Sequence, residues 1–440
     1  MREKSEVSRR DFLKRAAVVT AVAALPKGAV PAGAPAILGT PNPNEVVNYG
    51  IIGTGTEGCT LLRFLTTIPE GRCIATCDIY PPNLKKGVER IGGHPETYPD
   101  DYHRLLDRKD KDIDAVLICT PLNLHARMVI DSLNAGKHTF VEKSMFFKEE
   151  EEKPICEAAA AHSHQVLQVG LQRRSSVLYN VAMQMIRGGA LGKVLFVRAQ
   201  WHRNNNWRRP VPDPKFERLI NWRMYKEYSG GLMAELASHQ IDVANWAIGA
   251  EPASVMGTGG IDYWKDGREV CDNVQVVFEY PGGQKLVFTS LLFNQHYEFS
   301  EQIMGDEGTL EITIGKGLYY REPARKATLG ASKENWWAGA TVSEQARQQG
   351  FPIFPERGGV PEGFLDRELV YAKRFLGAHG VYDYKEPNDP WYEEMVNYFA
   401  SIREGKPIAA GLDIGVADSL GVIYANRAIE TGTKIFWRRK

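Results

Sequence analysis

The sequence predicts an α/β protein: a doubly wound parallel sheet, then an α+β domain on a large open, mostly antiparallel sheet. Three observations predict it. Val46 to Ile52 is an apolar run followed at once by Gly53-Thr54-Gly55-Thr56-Glu57-Gly58 and then by helical spacing of Leu61, Leu62, Phe64 and Leu65. Short apolar runs alternate with helical patterns to about residue 171, which implies parallel strands joined by helices. Beyond Gly192 the composition turns β-rich, and Pro281-Gly282-Gly283 joins two runs as a hairpin.

Residues 45–171 form the first unit, a dinucleotide-binding (Rossmann) domain. Gly53 permits a tight turn, Gly55 lets the backbone approach a pyrophosphate, and Gly58 lets the helix pack on the strand, leaving helix N–H groups for the phosphates. The next strand, Arg72 to Cys77, ends at Asp78. A carboxylate there accepts from an adenosine 2′-hydroxyl and repels a 2′-phosphate, favouring NAD over NADP. Strands over Asp114 to Cys119, His138 to Val141 and Gln165 to Val169 follow, with helices over Ala126 to Ala135 and Lys148 to His162. Pro154 falls either in the first turn of the last helix or at a kink. Ligands of such sheets lie beyond the carboxyl ends of the strands. The residues there are Gly53, Thr54, Gly55, Thr56, Glu57, Gly58, Asp78, Thr120, Pro121, Asn123, Glu142 and Lys143.

In the second unit, residues 172–385, strands are expected over Lys193 to Gln200, Asn273 to Tyr280, Gln284 to Phe293 and Thr309 to Ile314, with one regular helix around Leu232 to Ile248. Residues 323–389 are rich in Gly, Pro and aromatics and read as an insertion. Residues 390–440 return to helical patterns, Trp391 to Arg403 and Ile414 to Thr431, that pack back on the domains.

Composition excludes several classes. The 440 residues carry 54 basic and 54 acidic side chains, a formal net charge of zero, with 43 % hydrophobic residues. No run of about 18 apolar residues exists to span a bilayer. Without a basic block there is no nucleic-acid groove. The six cysteines contain no C-x-x-C pair and read as free thiols.

At the N-terminus, Ser8-Arg9-Arg10-Asp11-Phe12-Leu13-Lys14 precedes the weakly apolar run Ala16 to Leu25 and then Ala34-Pro35-Ala36. Residues 1–36 thus resemble a twin-arginine export signal, read by the Tat translocase rather than inserted stably in the membrane. That implies a periplasmic or secreted protein, folded before export.

Oxidising a secondary alcohol with NAD requires a base beside the nicotinamide. Glu235, His239 and Asp242 are spaced i, i+4, i+7 and share one face of a helix. His239 is the natural base, and Asp242 either orients it or binds a substrate hydroxyl. Lys143, past a strand end, can donate to that hydroxyl and stabilise alkoxide charge. Trp201, Asn204, Trp207, Trp222 and Arg223 offer the ring faces and donors that a sugar needs, with Glu235 and His239 beside them. Glu-x-x-x-His-x-x-Asp and His162-x-His164 could hold zinc, but the first set is better explained as acid–base machinery, so no metal is expected.

Thr120-Pro121-x-x-x-His125, Ala135-Gly136-Lys137-His138, Glu142-Lys143, Gly230-Gly231…Glu235-x-x-x-His239-x-x-Asp242, Gly305-Asp306-Glu307-Gly308-Thr309 and Arg403-Glu404-Gly405-Lys406-Pro407 together resemble the Gfo/Idh/MocA oxidoreductases. Two departures stand out: the usual Glu-Lys-Pro is Glu142-Lys143-Ser144, and the usual Asp four residues before the histidine is Glu235. The resemblance implies NAD(P)-dependent oxidation of a sugar, glycoside or cyclitol by His239, Asp242 and Lys143, with His125 and Arg173 at the cofactor. It also implies a homo-oligomer packed through the second-domain sheet. Two relatives of another class stay open: a redox-neutral glycoside hydrolase that uses NAD transiently, and a non-catalytic binding protein. Export implies a tightly bound NAD, covered by the insertion around Trp336-Trp337.

Overall fold

A computed structural model describes residues 46–107, 113–314, 316–322, 351–352 and 388–437. The twin-arginine segment and Trp336-Trp337 lie outside the described residues.

The first sheet has six parallel strands in the order β3-β2-β1-β4-β5-β6. They are β1 (Val47–Ile52), β2 (Gly71–Cys77), β3 (Glu96–Tyr98), β4 (Ala115–Ile118), β5 (His138–Glu142) and β6 (Leu167–Gly170). Every residue of β4 and β6 is buried. Helices cover both faces of such a sheet, which is why these strands read as unbroken apolar runs. The connecting helices are α1 (Thr56–Leu65), α2 (Pro81–Ile91), α3 (His125–Asn134) and α4 (Glu152–Ala161). Pro154 falls in the first turn of α4, where its missing N–H has no intrahelical partner to lose. The strand order reverses between β1 and β4, so the glycine loop after β1 opens into the crevice of the sheet.

An unexpected helix, α5 (Val177–Arg187), leads into the second domain. Its signals are local: Ser176 caps it by accepting from the Tyr179 N–H, and Leu178, Tyr179, Ala182 and Met183 are buried on one side. The second sheet runs β14-β13-β12-β11-β7-β10-β9-β8-β15. Its strands are β7 (Val194–Trp201), β8 (Ser254–Gly260), β9 (Asn273–Glu279), β10 (Lys285–Leu291), β11 (Phe299–Gly305), β12 (Gly308–Thr313), β13 (Lys316–Arg321), β14 (Phe351–Pro352) and β15 (Ile435–Phe436). Only the β7–β10 pair is parallel. Strands β8, β11, β13, β14 and β15 add to those read from the sequence. Three glycines in β8 remove the side chains that mark a strand.

The helix expected from Leu232 to Ile248 is two pieces. Met233–Ala237 is a π-helical turn, and α6 (Ser238–Ile248) continues from it to a left-handed Gly249. Two C-terminal helices return to the first domain. Met395, Tyr398 and Phe399 of α7 (Pro390–Glu404) join the core of β1 and α1. The longer α8 (Leu412–Thr431) lies against both halves. A Cβ on its Gly415 would stand 2.6 Å from Val169 of β6, and one on Gly421 would stand 2.9 Å from Ile241 of α6. Small residues thus let α8 approach the elements that carry the candidate site.

Candidate active site

The glycine loop leaves β1 through Gly53, at φ +90°. A Cβ on Gly58 would lie 2.0 Å from the Gly53 carbonyl oxygen, so α1 begins hard against the strand end. Beside Gly55 a Cβ would meet only Asn83 Nδ2, at 3.7 Å. The loop faces a cleft of about 320 Å³ whose lining includes Gly55, Thr56, Asn83 and four cations, Arg63, Lys86, Arg90 and Arg209, with no carboxylate. Free first-turn N–H groups, close backbone approach and surplus positive charge fit the pyrophosphate of a dinucleotide. Asp78 closes the loop from behind: Oδ2 accepts from the Thr54 N–H and Oδ1 from the Tyr80 N–H, both at 2.8 Å. Past β4, the Asn123 carboxamide oxygen is buried without a partner. Thr120 donates its hydroxyl to Met128 Sδ at 3.5 Å, and Pro121 leads into the short turn that carries Asn123.

Lys143 follows β5. Its Nζ donates to the carbonyl oxygens of Ala234 and Glu235, both at 3.1 Å. A π turn shifts the usual i→i−4 pairing and leaves carbonyls for other donors, and Lys143 takes two of them. The Lys143–Ser144 peptide is cis. The Ser144 hydroxyl donates to Asp418 of α8 at 3.0 Å, and the Met145 N–H donates to Ser419 at 3.0 Å. His125 lies behind this loop, Nδ1 2.8 Å from the Ser144 carbonyl and Nε2 2.9 Å from the Thr120 carbonyl. It is buried and braces two backbone segments.

Carboxyl groups gather on the dinucleotide side. Burial, with Glu57 nearby, pushes the Glu142 carboxyl up to about 8. Burial also raises Glu394 of α7 well above the ordinary range, reinforced by Glu142 and Glu57, and leaves its Oε2 without a partner. Glu57 accepts from the Trp391 indole N–H at 3.1 Å, and burial raises it although Lys143 and Arg223 oppose.

On the other side, the Glu235 carboxylate pairs with Arg223 at 2.7 Å. Burial would raise it, but the Arg223 and Lys143 charges outweigh burial and hold it below the ordinary carboxylate range. One turn further, His239 is 6 % exposed, with Nδ1 lacking any partner. Burial, then the charges of Arg173 and Lys143, hold its pKa well below the usual imidazole value. His239 is therefore neutral at pH 7 and free to take a proton. Asp242 does not orient it: that carboxylate is held by Arg174, with both oxygens 2.9 Å from Nε and Oδ1 2.6 Å from Nη2. Arg173 is likewise committed, to buried Glu301 at 2.5 Å, and stacks at 4.4 Å on Phe299. Both arginines tie the end of the first domain to the second.

Trp201 closes this side, its ring 6.0 Å from His239 and 5.2 Å from Phe299. Trp222 stacks against the Arg223 guanidinium at 4.3 Å. Asn204 is exposed and bridged to Phe293, and Trp207 turns the chain at φ +59°. Their segment also delivers Arg209 to the glycine-loop cleft, a role that its sequence neighbours did not suggest. Glu394, Asp418 and Ser419 were also missed, because their partners come together only through the long-range packing of α7 and α8. Among the described residues, no three His, Cys, Asp or Glu side chains converge as a metal set.

A glycine loop at the switch point of a doubly wound parallel sheet, opening on a basic cleft, defines the class of a dinucleotide-binding protein. The chain belongs to the Gfo/Idh/MocA family: the model of the oxidoreductase family with an NAD-binding Rossmann fold matches residues 47–171, and that of the GFO/IDH/MocA C-terminal domain matches residues 179–311. A twin-arginine translocation signal matches residues 6–26 and marks the chain for export by that pathway. The chain is 28 % identical over 273 residues to an inositol 2-dehydrogenase/D-chiro-inositol 3-dehydrogenase of Lactiplantibacillus plantarum, covering 61 % of this chain and 72 % of that protein. Its fold is similar to a levoglucosan dehydrogenase solved with NADH and levoglucosan, at TM-score 0.66 and 19 % identity over 89 % of this chain and 99 % of that one. It is also similar to the aldose-aldose oxidoreductase of Caulobacter crescentus, at TM-score 0.64 and 20 % identity over 89 % of this chain and all of that one (100 %).

Proposed function

We propose that the protein oxidises a secondary hydroxyl of a sugar, glycoside or cyclitol, with NAD as acceptor, His239 as general base and Lys143 as electrophilic helper. The observation that carries this reading is the meeting of Lys143 and His239 from separate domains. Lys143 is bonded to the turn that begins the His239 helix, and its charge helps keep His239 neutral. NAD, when bound, supplies the acceptor for the carbinol hydride. His239 takes the hydroxyl proton, and Lys143 donates toward the same oxygen while charge develops there. Glu235 and Arg223, fixed on each other, frame the pocket. An acidic residue, Asp78, follows the end of β2, where a carboxylate accepts from an adenosine 2′-hydroxyl and disfavours a 2′-phosphate, which supports NAD over NADP.

Export adds a constraint. A periplasmic or secreted enzyme has no maintained pool of free nucleotide, so NAD is loaded in the cytoplasm and held tightly enough to travel. Arg209, reaching the glycine loop from the second domain, suits that retention. A ligand that binds only the folded state adds about 4 kcal/mol at a thousandfold over its dissociation constant. Purified protein, denatured and assayed for released nucleotide, should yield NAD near one per chain. Sugars and cyclitols added to the native protein should reduce it. An empty supernatant would refute retention, and no reduction across the panel would refute the dehydrogenase reading.

A further inference from the structure

The arginines around the site divide by their partners. Arg173, Arg174 and Arg223 have carboxylates at 2.5, 2.6 and 2.7 Å. Arg203 and Arg209 have none within 4.0 Å among the described residues. Arg209 lines the basic cleft at the glycine loop, where a pyrophosphate answers its charge. Arg203 has no such explanation. It follows β7 directly, and its main chain is pinned: the Arg203 N–H donates to Leu291 at 2.7 Å and the neighbouring His202 N–H donates to Glu298 at 2.7 Å. Its guanidinium is half-buried, with Nε lacking an acceptor, and lies 5.0 Å from the centre of the Trp201 indole. The same indole lies 6.0 Å from the His239 ring. The Trp201 indole thus neighbours both a cation with no ion pair among the described residues and the candidate base. Exposed Glu298 and Glu235, the latter already paired with Arg223, are within electrostatic reach of Arg203 but outside ion-pair distance.

A half-buried cation without a counter-charge is costly unless something it binds supplies one. A guanidinium pairs best with a planar carboxylate. We propose that Arg203 forms an anion subsite, and that the substrate is a carboxylate-bearing carbohydrate, a uronate or aldonate, whose acid group rests on Arg203 while a ring or chain hydroxyl meets His239 and Lys143. This specificity rests on the dehydrogenase reading of the same site. Neutral sugars then lack the group that Arg203 awaits.

Calorimetric titration with NAD saturating tests it, using matched sets: D-glucuronate, its methyl ester and D-glucose; D-galacturonate with its ester and D-galactose; D-gluconate and sorbitol. In at least one set the acid should bind about tenfold or more tightly than its uncharged partners, the ordinary scale of a charge-assisted contact. That advantage should shrink as salt rises, vanish in Arg203→Gln and survive in part in Arg203→Lys, with thermal unfolding confirming that each variant is folded. The subsite is overturned if no acid outbinds its neutral partners, or if Arg203→Gln keeps the preference. Following NADH in the same mixtures separates the two proposals. Arg203-dependent acid binding without reduction leaves the subsite and removes the dehydrogenase. Reduction by neutral sugars with no acid preference does the reverse.

Discussion

On the dinucleotide side of the site, Glu57, Glu142 and Glu394 bring three carboxyl groups together, and burial raises all three above the ordinary range. On the second-domain side, Glu235, Asp242 and Glu301 each have an arginine at 2.7 Å or less. A guanidinium fixed beside a buried carboxylate favours its charged form and opposes the rise that burial gives Asp242 and Glu301, whereas a buried carboxyl without one is pushed further toward its protonated form. The paired side therefore makes a frame that spans the two domains. The other side makes an acidic pocket floor near Lys143 whose carboxyl groups hold their protons to higher pH than usual. His239 sits at the edge of the frame, close enough to Arg173 and Lys143 to be kept neutral.

The largest effect that tests this contrast comes from the two residues between the walls. His239→Ala should lower kcat/KM by about a thousandfold, within the usual range for loss of a general base, while NAD affinity measured by fluorescence titration changes little. Lys143→Ala should lose a comparable factor. If His239→Ala retained turnover within a few-fold of the parent, the base would have to lie elsewhere, and the neutral histidine would be a core residue.

A smaller effect tests how Lys143 is held. The usual Pro of this loop is Ser144, and the loop is fastened instead to α8 through Asp418 and Ser419. Asp418→Leu should cost about tenfold in kcat with little change in KM, since misplacing a catalytic group by a fraction of an ångström has effects of that order. Ser144→Pro should make the loop independent of Asp418, so that adding Asp418→Leu costs nothing further. An equal loss in both backgrounds would make Asp418 a general support of the core. Burial, with Asp242 nearby, raises the Asp418 carboxyl to about 7, so the Ser144-dependent effect should also alter the pH profile near neutrality.

How much of this was legible beforehand follows sequence distance. The glycine loop, Asp78, Lys143 and His239 are local signals: the first three follow strands β1, β2 and β5 of one sheet, and Lys143 is bonded to the turn that precedes the His239 helix. The commitments of Arg173, Arg174 and Asp242 were not legible, because side chains 68 and 128 residues apart pair only after the domains dock. Asp418 reaches Ser144 across 274 residues. The π turn was invisible because its apolar residues Met233, Leu236 and Ala237 suit an ordinary helix equally well. Lys143 stands at its open carbonyls.

The pH dependence of activity gives a finer test of the frame. The base must be unprotonated to accept a proton, so acid inactivates by protonating His239. Because burial and the Arg173 and Lys143 charges lower its pKa, the acid limb of kcat/KM should lie below the ordinary 6.5. Between pH 7.5 and pH 5.5 the loss of activity due to the base should be smaller than the roughly tenfold that an ordinary imidazole would give. Replacing the strut as Arg173→Gln with Glu301→Gln removes one of those charges without stranding the other, and should move the limb upward. A limb at or above 6.5 in the parent would break the contrast between the walls.

The smallest effect concerns the unpaired side and is read in stability. Glu394 is 1 % exposed, its Oε2 has no partner, and its pKa is raised well above the ordinary value by burial, with Glu142 and Glu57 adding repulsion. The folded protein therefore keeps protons on this cluster that the unfolded chain has already released. Stability from these groups is fully present below the unfolded carboxyl pKa and is lost as pH rises through the folded values, about 8 for Glu142. Glu394→Gln keeps the shape and removes the ionisation. It should raise Tm by about two to four degrees at pH 8.5, the shift expected for roughly 1 kcal/mol in a large domain. At pH 5.5, with NAD saturating at both pH values, it should change Tm little, so the slope of Tm against pH should flatten. A pair, Glu142→Gln with Glu394→Gln, should flatten it further than either alone. An equal loss of Tm at both pH values would mean that the Glu394 carboxyl is bound by a partner and ionised, and the acidic side of the site would then be built like the arginine-paired side.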